Sequence, residues 1–309
     1  MLQSLKNKLK KSSFIHGAYM RLKRAFAREL VGMTSKTEQD YFAGYGEKTY
    51  SGKGEIVDLG CWLGSTTIPL VKGLLKNPAF RKSSRKVYAY DLFIWFDWMN
   101  GSTAGTNLAG KYSEGDNFVE EFKARTKEFA RHIEIREGDL KQIGWTGGNI
   151  EFLLVDAMKN WDLANAIVRD FYPSLVSDES IVLHQDYAHF FTPWIHLLHW
   201  TFRENFDFIG EVPKSQSVIF RYKNKIAAEL LNKNYSFDSF SDADVDAAFD
   251  YSLNLVSTEK LPNVAASKVM WFLHQNEREK AKTEFESLLK RGIPPEKDLL
   301  IVKEMLEKK

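Results

Sequence analysis

Short apolar runs alternate with polar stretches whose apolar residues recur three or four apart, from about residue 55 to residue 223. The run at 55–57 predicts a short buried strand, and 67–75 has the spacing of a helix. Strands follow at 87–91 (VYAYD), 132–140 (HIEIREGDL), 150–161 (IEFLLVDAMKNW) and 180–191 (SIVLHQDYAHFF), with helices predicted at 118–130 and 161–176. The fourth strand is nearly all apolar, as expected of a strand covered on both faces. A hairpin at 206–223 closes the series. Strands alternating with helices predict an α/β fold with a mostly parallel, Rossmann-like sheet.

Three segments differ in character, which suggests a division at 1–39, 40–225 and 226–309. Residues 1–33 place Leu2, Leu5, Leu9, Ile15, Leu22, Phe26 and Leu30 at helical spacing, broken at Ser12, Ser13 and Gly17. Residues 1–28 hold eight Lys/Arg and no acid, so the remainder carries 35 basic and 41 acidic residues, a net of −6. Only the head is basic. It reads as an arm packed on the core, with peripheral contact of residues 1–30 with an anionic membrane as the second reading. Nucleic acid is disfavoured, because such affinity comes mainly from phosphate neutralisation. Residues 226–309 read as four or five helices suited to packing or homo-oligomer formation. No apolar run reaches membrane-spanning length. One cysteine, Cys61, excludes a disulfide framework and leads us to expect a reducing, cytoplasmic setting.

The candidate chemistry begins at EIVDLGCWLGSTT, residues 55–67. A dinucleotide turn needs glycine at its first, third and sixth positions, where this chain has Gly60, Trp62 and Ser65. The tryptophan argues against pyrophosphate and a nicotinamide oxidoreductase. The Asp58, Gly60, Gly64 spacing suits a nucleoside ligand without phosphates. DLGCWLGSTT resembles motif I of class I S-adenosylmethionine-dependent methyltransferases. Within that superfamily, the later segments are similar to macrocin-type sugar O-methyltransferases, over roughly residues 40–225.

The resemblance implies a seven-stranded sheet with an antiparallel last strand, and S-adenosylmethionine held by Asp58, Gly60, Cys61, Gly64 and Ser65. Asp91 and Leu92 would meet the ribose, Asp139 and Leu140 the adenine, and Asp156 would close the site. Metal-assisted relatives bind Mg2+ through an acid after strand four and an Asp-Asp or Asp-Asn pair after strand five. Here those places hold Asp156 and Gln185-Asp186, an oxygen-rich set that departs from the pattern at Gln185. The competing reading is metal-free, with His184 or His189 as general base and Lys159 or Asp186 orienting the acceptor. A third makes Gln185, Asp186 and His184 structural. His196 and His199 in PWIHLLHW lack a neighbouring acid and read as core histidines rather than zinc ligands. Residues 92–117, with Phe93, Trp95, Phe96 and Trp98 before a long polar loop, form a candidate wall for a small-molecule or glycan acceptor. The alternative function is a non-catalytic binding or assembly module on the same fold.

Overall fold

The structure, a computed structural model, describes residues 30–308. Its strands are β1 (Glu55–Leu59), β2 (Val87–Asp91), β3 (Ile133–Glu137), β4 (Ile150–Val155), β5 (Ile181–His184), β6 (Phe206–Glu211) and β7 (Val218–Tyr222). They form one sheet in the order β3-β2-β1-β4-β5-β7-β6. Strands β1 to β5 pair in parallel, and β7 runs antiparallel to both β5 and β6. This is a seven-stranded sheet with an antiparallel last strand, as expected above. The chain order reverses between β2-β1 and β4-β5, and ligands of open α/β sheets sit outside the carboxyl ends at such a point.

The helices used below are α1 (Lys36–Gly44), α2 (Thr67–Leu74), α3 (Val119–Thr126), α4 (Trp161–Phe171), α5 (Trp194–Thr201), α6 (Asp242–Leu255), α7 (Leu261–His274), α8 (Arg278–Lys290) and α9 (Asp298–Glu307). Local chemistry sets their starts. Ser35 and Glu38 form a reciprocal capping box on α1, and the Asn160 side chain accepts from the Leu163 N–H at the head of α4. Every residue of β4 is buried, because hydrophobic clusters cover the sheet on both faces.

The C-terminal helices belong to one of those clusters rather than standing apart. The Tyr187 hydroxyl and His196 Nδ1 each lie 2.9 Å from Ser252 Oγ on α6. Trp161 stacks on Phe240 at 5.9 Å, and buried Lys260 donates to the Val212 carbonyl at 2.9 Å. At the other end, α1 straddles the expected division at residue 39. The arm and membrane readings of residues 1–30 lie, save for Leu30, outside the described residues. Among the described residues no helix is long and apolar enough to cross a membrane.

Candidate active site

The turn after β1 is shaped by a close approach of two strands. Gly60 has φ +89°, and a Cβ there would stand 2.8 Å from the Asp156 carbonyl oxygen at the end of β4. Only glycine meets both demands without displacement. Trp62 follows at φ +40°, and its N–H donates to Asp91 Oδ2 at 2.8 Å. The Phe93 N–H donates to the other Asp91 oxygen, also at 2.8 Å. Burial pushes the Asp91 carboxyl up while these N–H groups pull it back. The turn and the β2 terminus are therefore stitched together around one carboxylate. The Trp62 indole packs beside Trp95 and Trp98, at 6.4 and 6.2 Å, and leaves the hollow open.

That hollow is a cavity of about 440 Å³, within the range of small-molecule sites. Of the residues expected to bind a nucleoside, Gly60, Cys61, Ser65, Asp91, Leu92, Asp139, Leu140 and Asp156 line it. Asp58 and Gly64 do not. Asp58 is fully buried beneath the turn, where its Oδ2 accepts from Thr66 and Thr67 hydroxyls at 2.8 and 2.6 Å. Burial raises its carboxyl to about 6 against those two bonds. Its work is to hold the head of α2, and a ligand would meet the turn above it. The Asp139 carboxylate accepts from the Lys141 N–H at 2.9 Å. Sequence reasoning missed Met33 and Thr34, which lie across the turn, with Thr34 Oγ1 at 2.7 Å from Ser65 Oγ. No periodic signal links residues so far from the strands they cover.

A second cavity, about 960 Å³, adjoins the first. The two share Met33, Trp98, Asp156, Lys159 and Gln185. The outer walls come from Asp186 and His189, from Lys214 and Gln216 before β7, and from Glu259, Asn263 and Lys297 of the C-terminal region. The tail, expected to serve packing or homo-oligomer formation, also forms part of a cavity wall. Within the 92–117 segment the aromatics divide. Phe93 and Trp95 are buried, Trp95 stacking on Tyr112 at 5.0 Å, whereas Phe96 and Trp98 face the first cavity, Trp98 57% exposed.

At the seam, Lys159 Nζ lies 2.5 Å from Asp156 Oδ1 and is hydrogen-bonded to Asp186 Oδ2. Burial raises the Asp156 carboxyl, against the pull of Lys159 and with the push of Asp186. For Asp186, burial also pushes up, but Lys159 and further bonds outweigh it and the carboxyl ends below its usual range. The two acids converge as a metal pair would, yet an ammonium stands between them. A second cation there would face a fixed positive charge, so these residues as arranged do not fit Mg2+. The magnesium reading of Asp156, Gln185 and Asp186 is corrected on that ground. Among the described residues no group of three or more His, Cys, Asp or Glu is placed to hold a metal ion.

The two candidate histidines part company. His184, the last residue of β5, points into the core with Nε2 3.2 Å from the Tyr172 hydroxyl, 1% exposed, and burial pushes it down to about 3. It lines neither cavity and is no base for an acceptor. His189 lines the second cavity, where its Nδ1 accepts from the Phe191 N–H at 3.1 Å. In neutral imidazole the other nitrogen then carries the hydrogen, so His189 presents a donor. His196 and His199 are core residues, as expected.

Comparison with solved structures gives distant neighbours. The chain is similar to the structure of the O-methyltransferase NovP, at 16% identity and TM-score 0.48, covering 63% of this chain and 83% of that one. It is similar to a methyltransferase from Geobacter sulfurreducens at 13% identity and TM-score 0.40, covering 72% and 94%. A third neighbour is the pyocyanin biosynthetic protein PhzM, at 11% identity and TM-score 0.37, covering 70% and 61%. No protein-family model and no curated protein matches the chain.

Proposed function

We propose that this protein is an S-adenosylmethionine-dependent O-methyltransferase acting on a small polar acceptor, a sugar or glycan precursor. The supporting observation is the seam: a nucleoside-sized cavity at the switch point opens onto a larger one through Asp156, Lys159 and Gln185. Methyl transfer needs donor and acceptor aligned across such a boundary. S-adenosylmethionine, when bound, supplies a sulfonium methyl whose transfer to an acceptor oxygen forms the O–CH3 bond, leaves a thioether and releases the hydroxyl proton.

The chain's own residues divide the work. Asp91, which lines the first cavity at the end of β2, accepts from the ribose hydroxyls, and Leu140 and Leu163 give that cavity apolar walls for the base. Asp156, whose proton affinity burial has raised, accepts the acceptor's proton. Lys159 and Asp186 orient the oxygen, and His189 donates to a second acceptor group. Exposed Trp98 and Phe191 offer aromatic faces to a sugar ring, with Gln216 and Asn263 as polar partners. The lone thiol, Cys61, is buried beside the first cavity, in keeping with a reducing, cytoplasmic setting.

Calorimetric titration with S-adenosylmethionine tests the reading, with wild type beside Asp91→Asn and Leu163→Trp. Wild type should bind, Asp91→Asn about tenfold more weakly, a loss of about 1.4 kcal/mol. Leu163→Trp, which fills the cavity, should not bind. Absence of binding by wild type would hand the fold to the non-catalytic assembly reading.

A further inference from the structure

Lys159 occupies the place where metal-assisted methyl transfer would put its ion. Two carboxylates from successive strand ends reach Nζ, Asp156 at 2.5 Å and Asp186 from the other side. Gln185 lies between them in sequence, and its Oε1 is buried without a hydrogen-bond partner. The backbone holds this arrangement: the Asp156 N–H donates to the Leu59 carbonyl at 2.8 Å, and the Gln185 N–H to Val155 at 3.0 Å. The Lys159 N–H donates to Ala157 at 2.8 Å, in the tight turn that aims the side chain back across the strand ends.

We propose that the Lys159 ammonium is a built-in substitute for a divalent cation, so that this site works without metal and becomes a metal site once the lysine is removed. Its catalytic half rests on the methyltransferase reading; its ion-binding half does not. An ammonium has three hydrogens. Two go to Asp156 and Asp186, and the side chain is 48% exposed, so the third is free to face the acceptor cavity. That hydrogen holds the acceptor oxygen as its hydroxyl proton leaves, the positioning and charge-balancing task of a bound metal. The substitution has a limit: one positive charge against two carboxylates leaves the cluster net negative. Lys159 also keeps Asp156 and Asp186 from repelling each other. Without it the same two carboxylates face one another across a vacated position, where they supply oxygen ligands to Mn2+ or Mg2+ and water completes the shell.

The test is Mn2+ binding, followed by the paramagnetic resonance signal of the free ion, on the full chain without added nucleoside. The wild type should take up no stoichiometric Mn2+ at millimolar ion. Lys159→Ala should bind one Mn2+ per chain at least tenfold more tightly than wild type, and adding Asp186→Asn should lose that gain. Equal one-to-one binding by wild type and Lys159→Ala would overturn the proposal, as would a Lys159→Ala protein with an unchanged melting profile that binds none. Lys159→Met, which keeps the stem and removes the charge, gives a second measure and should also gain the ion. S-adenosylmethionine titration of the same samples reports on the methyltransferase reading separately. Its failure would leave the ion result standing.

Discussion

The buried histidines make stability in acid a direct reading of the core. His184, His196 and His199 are 1%, 0% and 3% exposed, and the His184 and His199 rings meet edge to face at 4.6 Å. Burial holds His184 and His196 down to about 3 and His199 well below its ordinary value. An unfolded histidine titrates near about 6.5. The folded state therefore binds fewer protons than the unfolded one throughout the interval between, and stability falls as pH drops below the unfolded value. Each histidine adds a slope of about 1.4 kcal/mol per pH unit. Asp58, raised to about 6, acts in the opposite sense and returns part of the loss. The clean perturbation is His199→Phe. Its ring stacks on Phe220 at 4.0 Å, and its Nε2 has no hydrogen-bond partner, so phenylalanine keeps the contact and removes an unsatisfied nitrogen. Urea unfolding at about pH 7 and about pH 5 measures the consequence. Over the roughly 1.5 pH units below 6.5, the stability difference between the variant and wild type should shift by about 2 kcal/mol in the variant's favour. The Asp58 contribution is common to both proteins and cancels. Parallel stability profiles would show that His199 does not stay neutral in the fold.

Gly60→Ala should lower stability by about 1–3 kcal/mol, because it combines a left-handed backbone with a Cβ 2.8 Å from a carbonyl oxygen; a change under about 0.5 kcal/mol in urea unfolding would refute the close-approach argument. Asp58→Ala leaves the Thr66 and Thr67 hydroxyls without their acceptor and should cost about 1–3 kcal/mol by the same assay; a more stable variant would mean that the burial of the carboxylate outweighs its bonds. Trp98→Ala should leave stability within about 0.5 kcal/mol, since the indole is largely exposed. The same change should weaken sugar-ring ligands about two- to tenfold, the worth of one aromatic contact. Unchanged ligand titrations would remove Trp98 from the acceptor wall.

The sheet was legible because parallel strands covered on both faces read as apolar runs, and an acid or glycine marks where each run stops. Asp91, Asp139 and Asp156 line the cavity because they sit at those stops. What escaped was direction and distance. At the end of β5, alternation sends His184 into the core and leaves Gln185 at the cavities, but no sequence pattern tells which of the two faces them. Trp95 and Trp98 stand in one aromatic segment, yet only the folded loop shows that Trp95 is covered by Tyr112 while Trp98 stays open. Lys159 was visible three residues after Asp156, but its place between two acids depends on β4 and β5 lying side by side. Glu259, Asn263 and Lys297 reach the site only because the last helices fold back over the sheet.

That return of the tail ties the second cavity to the solidity of the core. The helices that bring Asn263 to the wall of the second cavity also cover Tyr187, His196 and Trp161, so a chain severed after residue 225 would bare those rings to water. The wall of the second cavity is therefore not a cassette that recombination could exchange. It has to drift one side chain at a time, on a frame that cannot be taken apart.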